Sequence, residues 1–272
     1  MTAWARELES SSYNQSFPEG VRVLPVGGHP SHLDWDFGQA PPLIISMILQ
    51  SCLRNRDHQP ISNQEILDWS INRRLQALLA VTIASRDNNL SLSTHCTNKD
   101  CAEILDLDLN LNAFTKSNEV FFVKVAPEQG TVLTLRFPTG LDQVNWLEKA
   151  DAAKPPSPSQ MAKELIVKVN GEEPNLGESL ASEWLEAISE ALDQNDPFTN
   201  FKLKTQCPFC ENKFLARFNL EEFLLKSVRQ KWYQLLDEVH HLAMSYHWKE
   251  SDIFKMPAQR RGYYLDRIEE AR

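Results

Sequence analysis

Glycine is scarce in this chain, nine in 272 residues. That leaves little scope for loops that cradle phosphates, and neither G-x-x-x-x-G-K-[ST] nor G-x-G-x-x-G occurs. G-x-S-x-G and H-E-x-x-H are missing as well, so no catalytic constellation is visible and no enzyme is expected. There is no long apolar run. The most apolar stretch, residues 42–53, is too short to span a bilayer, and no membrane insertion is expected. The first residues show no basic segment leading into an apolar one, so a secretory signal is not expected either. Positive charge is in deficit: 28 Lys and Arg stand against 37 Asp and Glu, a net charge of -9. Such a chain is a poor general binder of phosphate backbones, although a net negative balance does not exclude a local basic patch. Five cysteines are too few for a disulfide scaffold. Without a signal they point to a reducing, cytoplasmic setting, and the thiols need another explanation. Hydrophobic residues at 42% and charged residues at 24% are ordinary for a globular protein of a size that buries a real core.

Patterning divides the chain. Residues 1–41 hold no sustained period and read as a loosely ordered arm, with Val21, Val23, Leu24 and Val26 as a candidate short strand. Residues 42–89 read as a helical unit. A buried helix over 42–53 comes first. A second follows, with Ser62 and Glu65 at capping-box spacing and Ile61 and Ile66 as a staple; a third is capped by Ser70 and runs to about Ser85. The period then switches to two, giving strands over 90–94, 105–111, 121–125 and 131–137, then a short helix over 141–149. Residues 152–159, with Pro155, Pro156 and Pro158, read as a loop. A helix over 178–192 carries Leu180, Trp184, Leu185 and Ile188 on one face. Two strands, 201–205 and 214–218, flank a turn. Asn219 and Glu222 then open a long amphipathic helix over 220–247, followed by one more turn at 251–255. Pro257 begins a final helix with Tyr264, Leu265 and Ile268.

The chemistry lies in two cysteine pairs. Cys207-Pro208-Phe209-Cys210 is C-x2-C, a tight turn that aims two thiolates and several N–H groups at one point. Cys96 and Cys101 form C-x4-C in a matching strand–turn–strand setting. Two such turns facing each other supply the four sulfurs that Zn2+ accepts in a closed tetrahedron. The long gap between the pairs requires the intervening strands and helices to leave and fold back. A redox C-x-x-C usually opens a helix after a strand, whereas a strand follows here. A four-thiolate site has no open position, so it reads as a structural staple. Cys52 reads as a core thiol, His95 as solvent-facing, and His240, His241 and His247 as spread over different faces of one helix. Asp106 and Asp108 read as a solvated strand face.

The resulting expectation is an α+β fold: zinc-ribbon-like β-hairpins with a small sheet over 90–218, between an N-terminal helical unit and a C-terminal long-helix hairpin over 219–272. The aromatic surplus near that hairpin, together with neighbouring arginines, suggests a protein-docking surface of Trp248, Arg260, Arg261, Tyr263 and Tyr264.

Several segments carry a family likeness. They are Cys207-Pro-Phe-Cys210, Phe218-Asn-Leu-Glu-Glu-Phe-Leu, Leu235-Leu-Asp-Glu-Val-His-His-Leu-Ala, Tyr246-His-Trp-Lys-Glu-Ser-Asp-Ile and Gln259-Arg-Arg-Gly-Tyr-Tyr-Leu. Asp68-Trp-Ser-Ile-Asn-Arg-Arg-Leu and Arg136-Phe-Pro-Thr-Gly-Leu-Asp agree with them. From about residue 42 to its end the chain resembles the zinc-ribbon baseplate proteins of contractile-tail gene clusters, the T-even-phage-family baseplate hub assembly chaperones. It departs from that pattern in its C-x4-C pair and in Lys249, where the family usually carries a capping Ser or Thr. The resemblance implies a non-enzymatic assembly factor or component of the baseplate of a phage tail or related injection system. It implies baseplate or hub proteins as partners, no small-molecule substrate, and a place in the cytoplasm or in the particle. A nucleic-acid-binding zinc-ribbon protein is the alternative, with a thiol oxidoreductase using Cys207 and Cys210 behind it. The net charge and the few cations near the cysteines, Lys99, Lys202, Lys204, Lys213 and Arg217, speak against nucleic acid.

Overall fold

A computed structural model describes residues 20–85, 89–111, 120–151, 155–196 and 198–270. It is α+β, with helices and small antiparallel sheets. β1 (Arg22–Val23) pairs with β2 (Leu53–Arg54), at the end of α1 (Pro41–Cys52). α2 (Asn63–Asp68) is capped by Ser62, whose Oγ accepts from the Glu65 N–H, and α3 (Ile71–Ala84) is capped in the same way by Ser70. These caps satisfy N–H groups that a helix start leaves without partners. Among the described residues no helix is long and apolar enough to cross a membrane.

β3 (Asn89–His95) and β4 (Ile104–Asn110) form one hairpin. β5 (Phe122–Glu128) and β6 (Thr131–Arg136) begin a three-stranded sheet, followed by α4 (Gly140–Asp151). α5 (Pro158–Leu165) leads into the third strand, β7 (Ile166–Val169), and α6 (Ser182–Asn195) covers the sheet. β8 (Lys202–Gln206) and β9 (Lys213–Arg217) form the second cysteine-bearing hairpin. α7 (Leu220–Tyr246), α8 (Glu250–Lys255) and α9 (Ala258–Glu270) complete the chain.

The sequence expectation for residues 20–41 is corrected. They are no loose arm: Val21, Val23, Val26 and Phe37 pack on the main core, and Trp35 and His32 are buried. Trp35 Nε1 donates to Ser51 Oγ at 3.0 Å, and Phe37 lies 5.3 Å from the Trp232 ring on α7. Apolar side chains spaced without period still bury area when the chain wraps as a strap. Residues 1–19 of that expectation lie outside the described residues.

The Pro-rich stretch is also corrected. Pro158 and Ser159 belong to α5, because Ser157 and Gln160 form a reciprocal capping box and Pro158 sits where its missing N–H costs nothing. Residues 152–154 lie outside the described residues.

The domain boundaries shift with the cores. Leu92, Leu109, Leu111, Phe201, Ala216 and Phe218 of the two hairpins share one core with α1, α3 and the start of α7. The three-stranded sheet has its own, with Leu133, Leu135, Ala162, Ile166 and Ile188. The cysteine hairpins and the N-terminal helices therefore form one unit, and the sheet with α5 and α6 is an excursion from it. It is tied to the start of α3 twice, once in its middle, between β6 and α4, and once where the chain returns. The Ile71 N–H donates to Pro138 O at 2.9 Å and the Gly140 N–H to Trp69 O at 3.1 Å. At the return, Asn72 Nδ2 donates to Asp196 Oδ1 at 2.9 Å. Beneath this joint Arg74 is buried, donating to Pro42 O (2.6 Å), Ser46 Oγ (3.0 Å) and Ile66 O (3.1 Å). Arg136 grips Asp142 with both Nη atoms, at 2.5 and 2.9 Å. Burial would raise the Asp142 carboxyl, but the Arg136 guanidinium and two Thr139 donors hold it below the usual carboxylate range.

Candidate metal centre

The β3–β4 hairpin carries Cys96 and Cys101 at its tip, and the β8–β9 hairpin carries Cys207 and Cys210. The tips face each other. Cys96 Sγ lies 3.6 Å from Cys210 Sγ, Cys101 Sγ lies 3.7 Å from Cys207 Sγ, and all four sulfurs fall within 4.8 Å of one another. The short contacts cross from one hairpin to the other. They are far longer than a disulfide bond of about 2.05 Å. They match the edge of a tetrahedron whose centre lies about 2.3 Å from each sulfur, which is about 3.8 Å. Cys207 and Cys96 are buried, while Cys101 and Cys210 are partly exposed.

Both tips are built alike. The Cys96 N–H donates to Glu103 O and the Cys207 N–H to Asn212 O, each at 2.9 Å. Directly after the second cysteine of each pair the backbone turns left-handed, with φ 49° at Ala102 and 58° at Glu211. That twist brings the next N–H, of Glu103 or Asn212, back onto the sulfur. In the C-x2-C tip, Cys207 O accepts from the Glu211 N–H; in the C-x4-C tip, Asn98 O accepts from the Ala102 N–H. Asn98 thus takes the turn position of Cys207, and Cys96 stands two residues earlier, at the strand end. The wider spacing is absorbed there and still delivers its sulfur. The Asn98 N–H reaches Cys96 Sγ at 3.4 Å, and Asn212 Nδ2 ties the tips together through Thr97 Oγ1 at 2.9 Å.

The acidity of the thiols is uneven. The Asn212 N–H pulls the Cys210 thiol down to about 7. The Glu103 N–H acts the same way on Cys101, but burial and the neighbouring sulfurs outweigh it and push that thiol up to about 12. Burial also raises Cys96. A cation entering here would take the four as thiolates and release protons.

The remaining expected residues fall in different places. His95 is exposed and outside the cluster. Cys52 is buried, with its sulfur 3.8 Å from His32 Nε2. Burial pushes Cys52 up to about 12 and His32 down to about 4, the reverse of what a thiolate–imidazolium pair requires. The docking surface expected at Trp248, Arg260, Arg261, Tyr263 and Tyr264 is corrected in part. Arg261 is buried: it pairs with Glu238 and donates to Met256 O and Gly27 O. Trp248 stacks on Tyr246 at 4.5 Å and meets the edge of Tyr264 at 4.8 Å, within the cluster that closes α7 on α9. Arg260 and Tyr263 remain exposed. Sequence reasoning missed Ala102, Glu211 and Asn212; their signal is position, the first two directly after the second cysteine of each pair and Asn212 one residue further on. No protein-family model, curated protein or solved structure matches the chain.

Proposed function

We propose that the chain is a non-enzymatic assembly factor or component of a contractile-tail baseplate, stapled by one structural Zn2+ on Cys96, Cys101, Cys207 and Cys210. The observation that carries it is the four-sulfur cluster, in which two hairpins more than a hundred residues apart meet with tetrahedral edges. Four thiolates close a zinc coordination sphere, so the ion locks tertiary structure and leaves no position for substrate or water. Cys207 has its short sulfur contact with Cys101, not with Cys210, which favours the staple over a dithiol oxidoreductase. The family resemblance supplies the baseplate role. Two of its segments, 68–75 and 136–142, meet in the joint under the excursion, so their residue types have a structural reason to occur together. Partner docking at the C-terminal hairpin falls to Arg260 and Tyr263.

The test is assembly. In a host carrying the contractile-tail cluster, deleting this gene should abolish sheathed particles in electron micrographs. The wild-type chain should restore them. Arg260→Glu with Tyr263→Ala should not, although that variant folds and keeps zinc. Sheathed particles at normal yield after deletion would refute the role.

A further inference from the structure

The outward face of the β8–β9 hairpin is basic. Its register sets Lys202 opposite Arg217, Lys204 opposite Leu215 and Gln206 opposite Lys213, and all six are exposed. The alternate residues Leu203, Phe214 and Ala216 turn to the core. Two five-residue strands thus display four cations in a chain of net charge -9. None of the four makes an ion pair among the described residues. Lys202 and Arg217 face each other directly, a like-charge pair that works against the hairpin. The β3–β4 hairpin is different. Its outward carboxylates, Asp108 and Asp106, accept from Ser91 and Ser93 Oγ at 2.7 Å, so they are satisfied within the chain.

At Gln206 the basic face runs into a groove of about 400 Å3 lined by Ile104, Asp106, Leu107, Pro208 and Phe209. Ile104 is 59% exposed, Phe209 66% and Leu215 53%. We infer that this face and groove dock an acidic segment of a partner protein. An apolar side chain of that segment seats between Ile104 and Phe209, and its carboxylates meet Lys202, Lys204, Lys213 and Arg217. Exposed apolar anchors beside uncompensated cations fit a protein interface. A phosphate backbone gains nothing from Ile104 or Leu215, whereas an acidic segment with an apolar side chain uses both the cations and the apolar anchors. This surface is separate from Arg260 and Tyr263, and the inference does not rest on the baseplate role.

The test selects from a random peptide display library on the full zinc-loaded chain. Fluorescence anisotropy then compares a recovered peptide with an oligo-dT strand. Recovered peptides should carry acidic residues flanking an apolar one, and should bind more tightly than oligo-dT. Their affinity should fall roughly tenfold or more in Lys202→Glu and in Phe209→Ser, each checked for zinc content. Lys202→Glu gains an opposite charge across from Arg217, so its thermal midpoint should hold or rise while its binding falls. A purely structural role for Lys202 predicts no loss of binding. The inference is overturned if recovered peptides show no acidic preference, if oligo-dT binds more tightly, or if Lys202→Glu binds as wild type. It is equally overturned if sedimentation shows the wild-type chain self-associating through this face.

Discussion

Ala102 and Glu211 hold left-handed backbone where most cysteine turns of this kind would suit glycine. A side chain there costs roughly 1–2 kcal/mol, part of which glycine loses again through its freer unfolded chain. Ala102→Gly and Glu211→Gly should therefore each stabilise the protein by about 0.5–1 kcal/mol in urea titrations, with the sulfur cluster unchanged. A loss of stability would mean these side chains make contacts that matter more than the twist. His32 offers a second residue-scale prediction. Its Nδ1 accepts from the Gly27 N–H at 3.1 Å, which fixes the neutral ring with the proton on Nε2. Burial lowers the ring to about 4 from an ordinary 6.5, so the unfolded chain takes up the proton first as pH falls. Stability from this group is complete above pH 6.5, declines between about 6.5 and 4, and levels off below. The window is worth about 3 kcal/mol. Urea midpoints across it should show that slope in the wild type and lose it in His32→Gln. The cysteines were legible from two pairs in matching strand–turn–strand settings. The left-handed residues were not, because neither is glycine, and His32 was not, because a lone histidine in an aperiodic stretch carries no pattern.

At the scale of elements, periodicity did most of the work. The alternation over 105–111 became β4, and apolar steps of four and three became a 27-residue α7 that serves two cores, through Leu220, Leu224 and Val228 and then through Leu235, Val239 and Leu242. The failures have local causes. Three prolines masked α5, although Ser157 and Gln160 already spelled its cap. The sequence expectation places Arg261 on the surface, although it stands three, four and seven positions before Tyr264, Leu265 and Ile268 and so shares their inward face. That error makes a prediction. Arg261→Glu places a second carboxylate against Glu238 and should destabilise the C-terminal hairpin by about 3 kcal/mol or more, as breaking a buried pair does. Arg260→Glu, on the exposed side, should stay within about 0.5 kcal/mol of wild type. Amide exchange in α9 measures both, and equal effects would contradict the burial of Arg261.

Over the whole molecule, the chain departs from its helical unit after the first cysteine hairpin, builds a separately cored sheet, and returns to complete the four-cysteine cluster. The sequence shows that a return is needed, since two cysteine pairs can share an ion only that way. It does not show where the excursion is fastened, because the joint relies on backbone bonds at Ile71 and Gly140 that no side-chain pattern advertises. Gly140 is required there by close approach: a Cβ would overlap the buried Arg74 guanidinium. Gly140→Ala should cost about 1–3 kcal/mol in chemical denaturation while leaving zinc content near wild type.

In the proposed function a single zinc ion joins the two hairpins. X-ray absorption at the zinc edge, on protein purified without chelator, tests it most directly. The spectrum should show four sulfur scatterers at about 2.3 Å and no nitrogen or oxygen shell. An edge with mixed ligands, or protein that carries no zinc, would contradict the account.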